Sequence, residues 1–143
     1  MTVKSILDQK GRDVLTVGPD EKLAHAIAIL AENRIGALVV TRGDRHVAGI
    51  LSERDVVRVI GRYGAEALEQ PVSSVMTSNV RTCTESHSVN AVMEIMTRGR
   101  FRHLPVQKGG QLDGIISIGD VVKRRIEDVE REAEEIKQYI ATA

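Results

Sequence analysis

The ten residues Gly49 to Arg58, GILSERDVVR, return 65 positions later as Gly114 to Lys123, GIISIGDVVK. Gly, Ile, Ser, Asp, Val and Val recur in phase. In each copy a strand-like run ends in Ser, two residues follow, then an Asp, then an apolar-periodic helix. Self-similarity at a fixed spacing means two copies of one supersecondary unit. The rest of the chain is placed relative to this pair.

Other segments echo in the same order. Val3-Lys4-Ser5-Ile6-Leu7 matches Val72-Ser73-Ser74-Val75-Met76, and Val14 to Val17 matches Val80 to Cys83. Leu23, Ala26, Ile27 and Leu30 have the spacing of an amphipathic helix. Their counterparts are Val89, Val92, Met93 and Met96. Ile35 to Val40 (IGALVV) then matches Phe101 to Val106 (FRHLPV), and turn residues follow as Gly43-Asp44 and Gly109-Gly110. The offset shortens from 66 to 65 inside that turn, a change loops tolerate. Each copy reads as strand, helix, strand, strand, helix.

The expected boundaries are a first repeat at 1–62, a linker at 63–71, a second repeat at 72–126 and a helical extension at 127–143. Gly61 and Gly64 are taken as breakers before the linker, and Pro71 closes it. A unit of about 55 residues buries too little surface to stand alone. The expected fold is therefore α+β, with two β-α-β-β-α repeats packed sheet to sheet about a pseudo-two-fold axis and an extended C-terminal helix.

Composition removes several classes. Aromatics are only 2% of 143 residues, so the core must be aliphatic. Lys plus Arg and Asp plus Glu are 20 each, which gives no global basic footprint for nucleic acid. One cysteine, Cys83, cannot form an internal disulfide and suits a reducing cytoplasm. No apolar run is long enough for a membrane span, and the N-terminus lacks an apolar signal core. His25, His46, His87 and His103 share no short spacing, so no metal site is expected.

Val122, Ile126, Val129, Ala133, Ile136 and Ile140 are spaced 4, 3, 4, 3, 4, a heptad seam on a charged helix. Two readings stand: a helix docked on its own domain, or one that packs in a dimer.

Ser52 with Asp55, and Ser117 with Asp120, have capping-box spacing. One reading is purely local: the Ser oxygen accepts from first-turn amides and the Asp complements the positive helix end. The other uses the same geometry for a ligand. A helix start offers amides to an anion, the hydroxyl adds a donor, and a carboxylate holds a ribose diol.

Each copy resembles a CBS domain, the module named after cystathionine β-synthase, and the chain resembles a stand-alone tandem pair. The resemblance runs from Val3 to about Ile126 and rests on the order and double occurrence of V-x-S-[IV]-[LM], the strands ending LVV or LPV, and G-[IV]-[LI]-S-x-x-D-V-V. It implies a regulatory module that binds AMP, ADP, ATP, NAD(H) or S-adenosylmethionine, AMP foremost, in two related clefts. It also implies a homodimer of two pairs in a flat disc, with no catalytic cofactor.

Carried over by motif position, Asp55 and Asp120 hold ribose and Ser52 and Ser117 lie toward phosphate. Thr16, Val17, Thr82 and Cys83 meet the adenine edge with backbone groups. Ile35, Gly36 and Ala37 complete one cleft, and Phe101, Arg102 and His103 the other. Arg98, Arg100, Arg102 and His103 form a basic cluster, against which stands the plainer reading of a solvated arginine face. Arg suits phosphate because its fork donates several bonds, and Arg34 and Arg100 occupy equivalent places. Arg54 has Gly119 as its counterpart. The family's G-h-x-P pattern is split: Gly36 stands without the Pro, and Pro105 without the Gly. The two clefts should differ.

The expected function is a sensor that biases an unidentified partner protein through ligand binding, without nucleic acid or membrane. The alternatives are a ligand-free structural dimerisation module and a nucleotide-processing enzyme. The enzyme reading lacks a recognisable base or metal constellation, and the Cys83 position reads as a small buried apolar residue rather than a nucleophile.

Overall fold

The computed structural model describes residues 1–142. In order, the elements are α1 (Val3–Lys10), β1 (Thr16–Val17), α2 (Leu23–Asn33), β2 (Ala37–Arg42), β3 (His46–Ser52), α3 (Glu53–Tyr63), 3₁₀ turns at Gly64–Glu69 and Val72–Ser74, α4 (Val89–Gly99), β4 (His103–Lys108), β5 (Gln111–Ser117) and α5 (Ile118–Thr142). The strands run β1-β2-β3-β5-β4. Within each copy the long pair is antiparallel. Between copies a single rung, His46 with Gln111, joins β3 to β5.

Aliphatic patterning explains the layers. In β2, Leu38 and Val40 enter the core with Leu23, Ala26 and Leu30 of α2. Ala37 and Val39 point to the opposite face, and they too are buried. A strand buried on both faces reads as a continuous apolar run, as ALVV does. The sheet is therefore covered by helices on one side and by the other copy on the other.

The leading segments are exchanged between the copies. Val3, Ile6 and Leu7 of α1 belong to the second core, with Val92, Met96, Leu104 and Ile116. Val72 belongs to the first core. Val3 N–H donates to His87 O at 2.9 Å, and Val72 N–H to Glu21 O at 2.8 Å. Arg12 anchors the end of α1 through Asp113 at 2.6 Å and Glu85 at 3.0 Å. The recurrent glycines of the two ten-residue motifs exist for these crossings. A Cβ on Gly49 would lie 2.8 Å from Thr77 O, and one on Gly114 would lie 2.8 Å from Leu7 Cδ2.

Two sequence expectations change. The strand expected at Val80–Cys83 shrinks to one parallel bridge, Cys83 with Val106. In the first copy Thr16 pairs with Val39. Pro105 stands at the Val39 position without an N–H to donate, so the ladder stops. Gly61 does not break the chain, because α3 continues to Tyr63 and ends at Gly64, φ +69°. The stretch between the copies forms a 3₁₀ turn at Gly64–Glu69 and packs Ala67 into the first core.

Helix α5 docks only by its first turns, through Val121 and Asp128. Beyond Asp128 every described residue is exposed. The seam stays in solvent, from 46% exposure at Val122 to 69% at Ile140.

Candidate functional site

Both Ser-x-x-Asp motifs fold as helix starts. Ser52 ends β3 in an extended conformation and caps α3 as a full capping box. Asp55 N–H donates to Ser52 Oγ at 3.2 Å, and Ser52 N–H donates to Asp55 Oδ2 at 2.9 Å. The second copy repeats this, with Asp120 N–H to Ser117 Oγ at 3.1 Å and Ser117 N–H to Asp120 Oδ2 at 2.9 Å. Glu53 N–H donates to Gly36 O, and Ile118 N–H to Arg102 O. The capping role is thus fully realised. In the first turns it leaves the Arg54 and Gly119 amides outside these bonds.

The caps occupy one carboxylate oxygen of each Asp. Asp55 is only 7% exposed. Its Oδ1 meets the Thr77 hydroxyl at 3.5 Å and Arg58 Nη1 at 3.7 Å. Asp120 Oδ2 carries a second bond, from Lys10 Nζ at 2.7 Å, and Lys10 also donates to Ile115 O at 3.0 Å. Burial pushes the Asp120 carboxyl up, but the bonds from Lys10 and Ser117 outweigh it and hold it below the usual carboxylate value.

The segments that precede β2 and β4 face each other across the copies. A Cβ on Gly36 would lie 3.3 Å from His103 Cε1 and 3.8 Å from Glu53 Cδ. Burial lowers the His103 pKa, and the positive charge of Lys10 lowers it further, against the pull of Asp120 and Glu53. Gly36, Glu53, His103, Lys10 and Asp120 therefore form one neighbourhood between the two helix starts.

The remaining candidates divide by exposure. Ala37 and Pro105 are buried, Ile35, Phe101, Thr82 and Ser117 half-buried, and Thr16, Arg54 and Arg102 exposed. Val17 and Cys83 point into the cores, and burial pushes the Cys83 thiol up to about 11. The backbone of Cys83 bonds to β4, its N–H donating to Pro105 O at 3.1 Å and its carbonyl accepting from Gln107 N–H at 2.9 Å. Arg34 and Arg100 are exposed and end α2 and α4 with left-handed backbone. Arg98 pairs with Glu94 at 2.7 Å on the surface of α4. A cavity of about 90 Å³ lies beside Asp120, between α1 and α5, walled by Gln9, Lys10, Lys123, Arg124 and Glu127.

Four residues around the site escaped the sequence: Lys10, Arg58 and Thr77 at the carboxylates, and Glu53 beside Gly36. Thr77 follows the repeated leading segment, so the exchange of those segments, once known, predicts it. Lys10 has no counterpart signal, because Asn79 stands at the matching place. Among the described residues no group of three or more His, Cys, Asp or Glu could hold a metal. Among the described residues no helix is long and apolar enough to cross a membrane.

Known proteins are similar to this chain in sequence and in structure. The mitochondrial CBS domain-containing protein CBSX3 of Arabidopsis thaliana is 31% identical over 147 residues, covering 97% of this chain and 71% of that protein. The solved CBS-domain containing protein ATU1752 from Agrobacterium tumefaciens is 53% identical with a TM-score of 0.84, covering 87% of this chain and 99% of that one. The CBS domain protein PAE2072 from Pyrobaculum aerophilum, solved in complex with AMP, is 27% identical with a TM-score of 0.75, covering 84% of this chain and 89% of that one. Paired CBS domains are in general regulatory modules that bind nucleotides. The family model of the CBS domain matches residues 3–62 and 72–127, and with both repeats matched the chain belongs to the CBS domain family.

Proposed function

We propose that this chain is a regulatory sensor that binds an adenosine nucleotide, AMP foremost, at the two helix starts and passes the bound state to a partner protein. ADP, ATP, NAD(H) and S-adenosylmethionine are the other candidates. One observation carries the reading: the structure repeats, in both copies, a carboxylate that spends one oxygen on its cap and keeps acceptor capacity for a ribose diol. The AMP complex of the Pyrobaculum protein supports the choice of ligand.

In each cleft the Asp takes the ribose hydroxyls, the Ser hydroxyl and the second amide of the helix face the phosphate, and Arg34 or Arg100 adds charge. Backbone groups of Thr16-Val17 and Thr82-Cys83 edge the adenine. A ligand spanning two copies favours one of their relative arrangements by its differential affinity. The exposed seam of α5, together with Val57 and Ile60 of α3, supports a homodimer as the unit that senses. The lone buried thiol supports a reducing, cytoplasmic setting.

A thermal-shift panel tests this. Saturating nucleotide at a hundred times its dissociation constant should stabilise the fold by about 2.7 kcal/mol through linkage. The adenosine compounds should raise the melting temperature and guanosine monophosphate should not. Equal shifts from every nucleotide, or none from any, would contradict the proposal.

A further inference from the structure

We propose that Lys10 makes the second cleft a reader of ligand phosphate charge, a discrimination that the first cleft lacks. This rests on the nucleotide reading above. The two carboxylates differ in one partner. Asp120 is held by an ammonium at 2.7 Å, in a pair whose side chains are only 33% and 24% exposed. Asp55 meets a hydroxyl at 3.5 Å and a mostly exposed arginine at 3.7 Å. The exchange of leading segments brings Lys10 from α1 onto the second copy. The same exchange brings Thr77 to the first, and the residue matching Lys10 is the exposed, uncharged Asn79.

Lys10 and the cap both use Asp120 Oδ2, so a ribose diol that bridges both carboxylate oxygens displaces a charged donor, which forms the stronger kind of hydrogen bond. Uncharged adenosine gives the released ammonium no anion in return, so the ion pair with Asp120 is lost and Lys10 keeps only the Ile115 carbonyl. A phosphate completes the exchange. The diol takes the carboxylate while Lys10, on its flexible four-carbon stem, turns to the phosphate. Lys123, Arg124 and Glu127 line the adjoining cavity of about 90 Å³, with Arg124 paired to Asp128. Lys10 thus competes against nucleosides and binds nucleotides.

The test isolates the second cleft with Asp55→Asn, which keeps an oxygen for the cap, and titrates it with adenosine and with ADP by calorimetry without divalent metal. ADP should bind at least roughly tenfold more tightly than adenosine, the scale of one charge-assisted hydrogen bond. Lys10→Met in that background should tighten adenosine, weaken ADP and collapse the ratio, while Lys10→Arg preserves it. Melting curves confirm that each variant is folded. An unchanged ratio in Lys10→Met, equal weakening of both ligands, or no binding by either variant overturns the gate. Wild-type binding by Asp55→Asn/Asp120→Asn is a separate outcome, which overturns the nucleotide-site reading beneath it.

Discussion

Arg34 and Arg100 end their helices in the same way, 66 residues apart, with left-handed backbone at φ 52° and 57°. Each N–H closes the helix onto a carbonyl four residues back, Leu30 O and Met96 O. Glycine is the usual residue there, and a side chain in that conformation costs about 1 kcal/mol. Strain repeated in both copies, each time under an arginine, is expected where a site needs the side chain. Arg34→Gly and Arg100→Gly should therefore keep or raise the melting temperature while weakening AMP binding. Calorimetry beside thermal melts checks both halves. Loss of stability with unchanged affinity would mean the arginines serve the fold.

The two motif glycines should respond unequally to the same substitution. Gly49→Ala drives a methyl toward the Thr77 carbonyl, which is backbone paired with Ile50. Gly114→Ala meets the end of the Leu7 side chain, which can turn away. Overpacking typically costs about 1–3 kcal/mol, and Gly49→Ala should lie at the upper end with Gly114→Ala well below it. Urea denaturation of the two variants measures the difference, and equal losses would contradict the packing described.

Acid should weaken the fold through two neighbours. The folded His103 pKa lies below its unfolded value, because burial and Lys10 oppose the imidazolium. Its contribution is complete above the unfolded value of about 6.5 and is lost as pH falls through the lower folded value. Asp120 has the same sign: its folded pKa is depressed, so its contribution is lost as pH falls from the ordinary carboxylate range. Stability should fall from pH 7 to pH 5, and His103→Gln should flatten the upper part of that slope. A wild-type profile that rises on acidification would refute the placement of His103 beside Lys10.

The α5 seam predicts association. Ile136 is 60% exposed and Ile140 69% exposed, on a helix whose described residues past Asp128 are all exposed. Isolated helices of that length are marginal in water. Light scattering should give a dimer at micromolar concentration. Ile136→Glu should shift it toward monomer without changing the far-UV spectrum of residues that precede α5. A wild-type monomer, or an unaffected Ile136→Glu dimer, would remove the seam from the interface.

Much of this architecture is legible in the sequence because duplication makes each element visible twice. The continuous apolar runs around Leu38 and Leu104 and the helical spacing from Leu23 and Val89 are local signals that burial merely confirms. What stays hidden depends on through-space pairing. Nothing in Val3 to Leu7 says that it packs on the other copy, and so the ammonium beside Asp120 is invisible. Pro105 is visible as a residue, yet its effect on the segment before Cys83 is a hydrogen bond that fails to form between strands. The ligand enters through family resemblance, since the physics of Ser52 and Asp55 alone describes a well-capped helix.

The most direct measurement is calorimetric titration of AMP into the wild type and into Asp55→Asn/Asp120→Asn. These substitutions keep a cap acceptor at both helix starts and remove the charge that holds the diol. The account predicts AMP binding by the wild type and its loss, by at least roughly a hundredfold or about 2.7 kcal/mol, in the folded double variant. Unchanged affinity in that variant would contradict the assignment of Asp55 and Asp120 to the nucleotide.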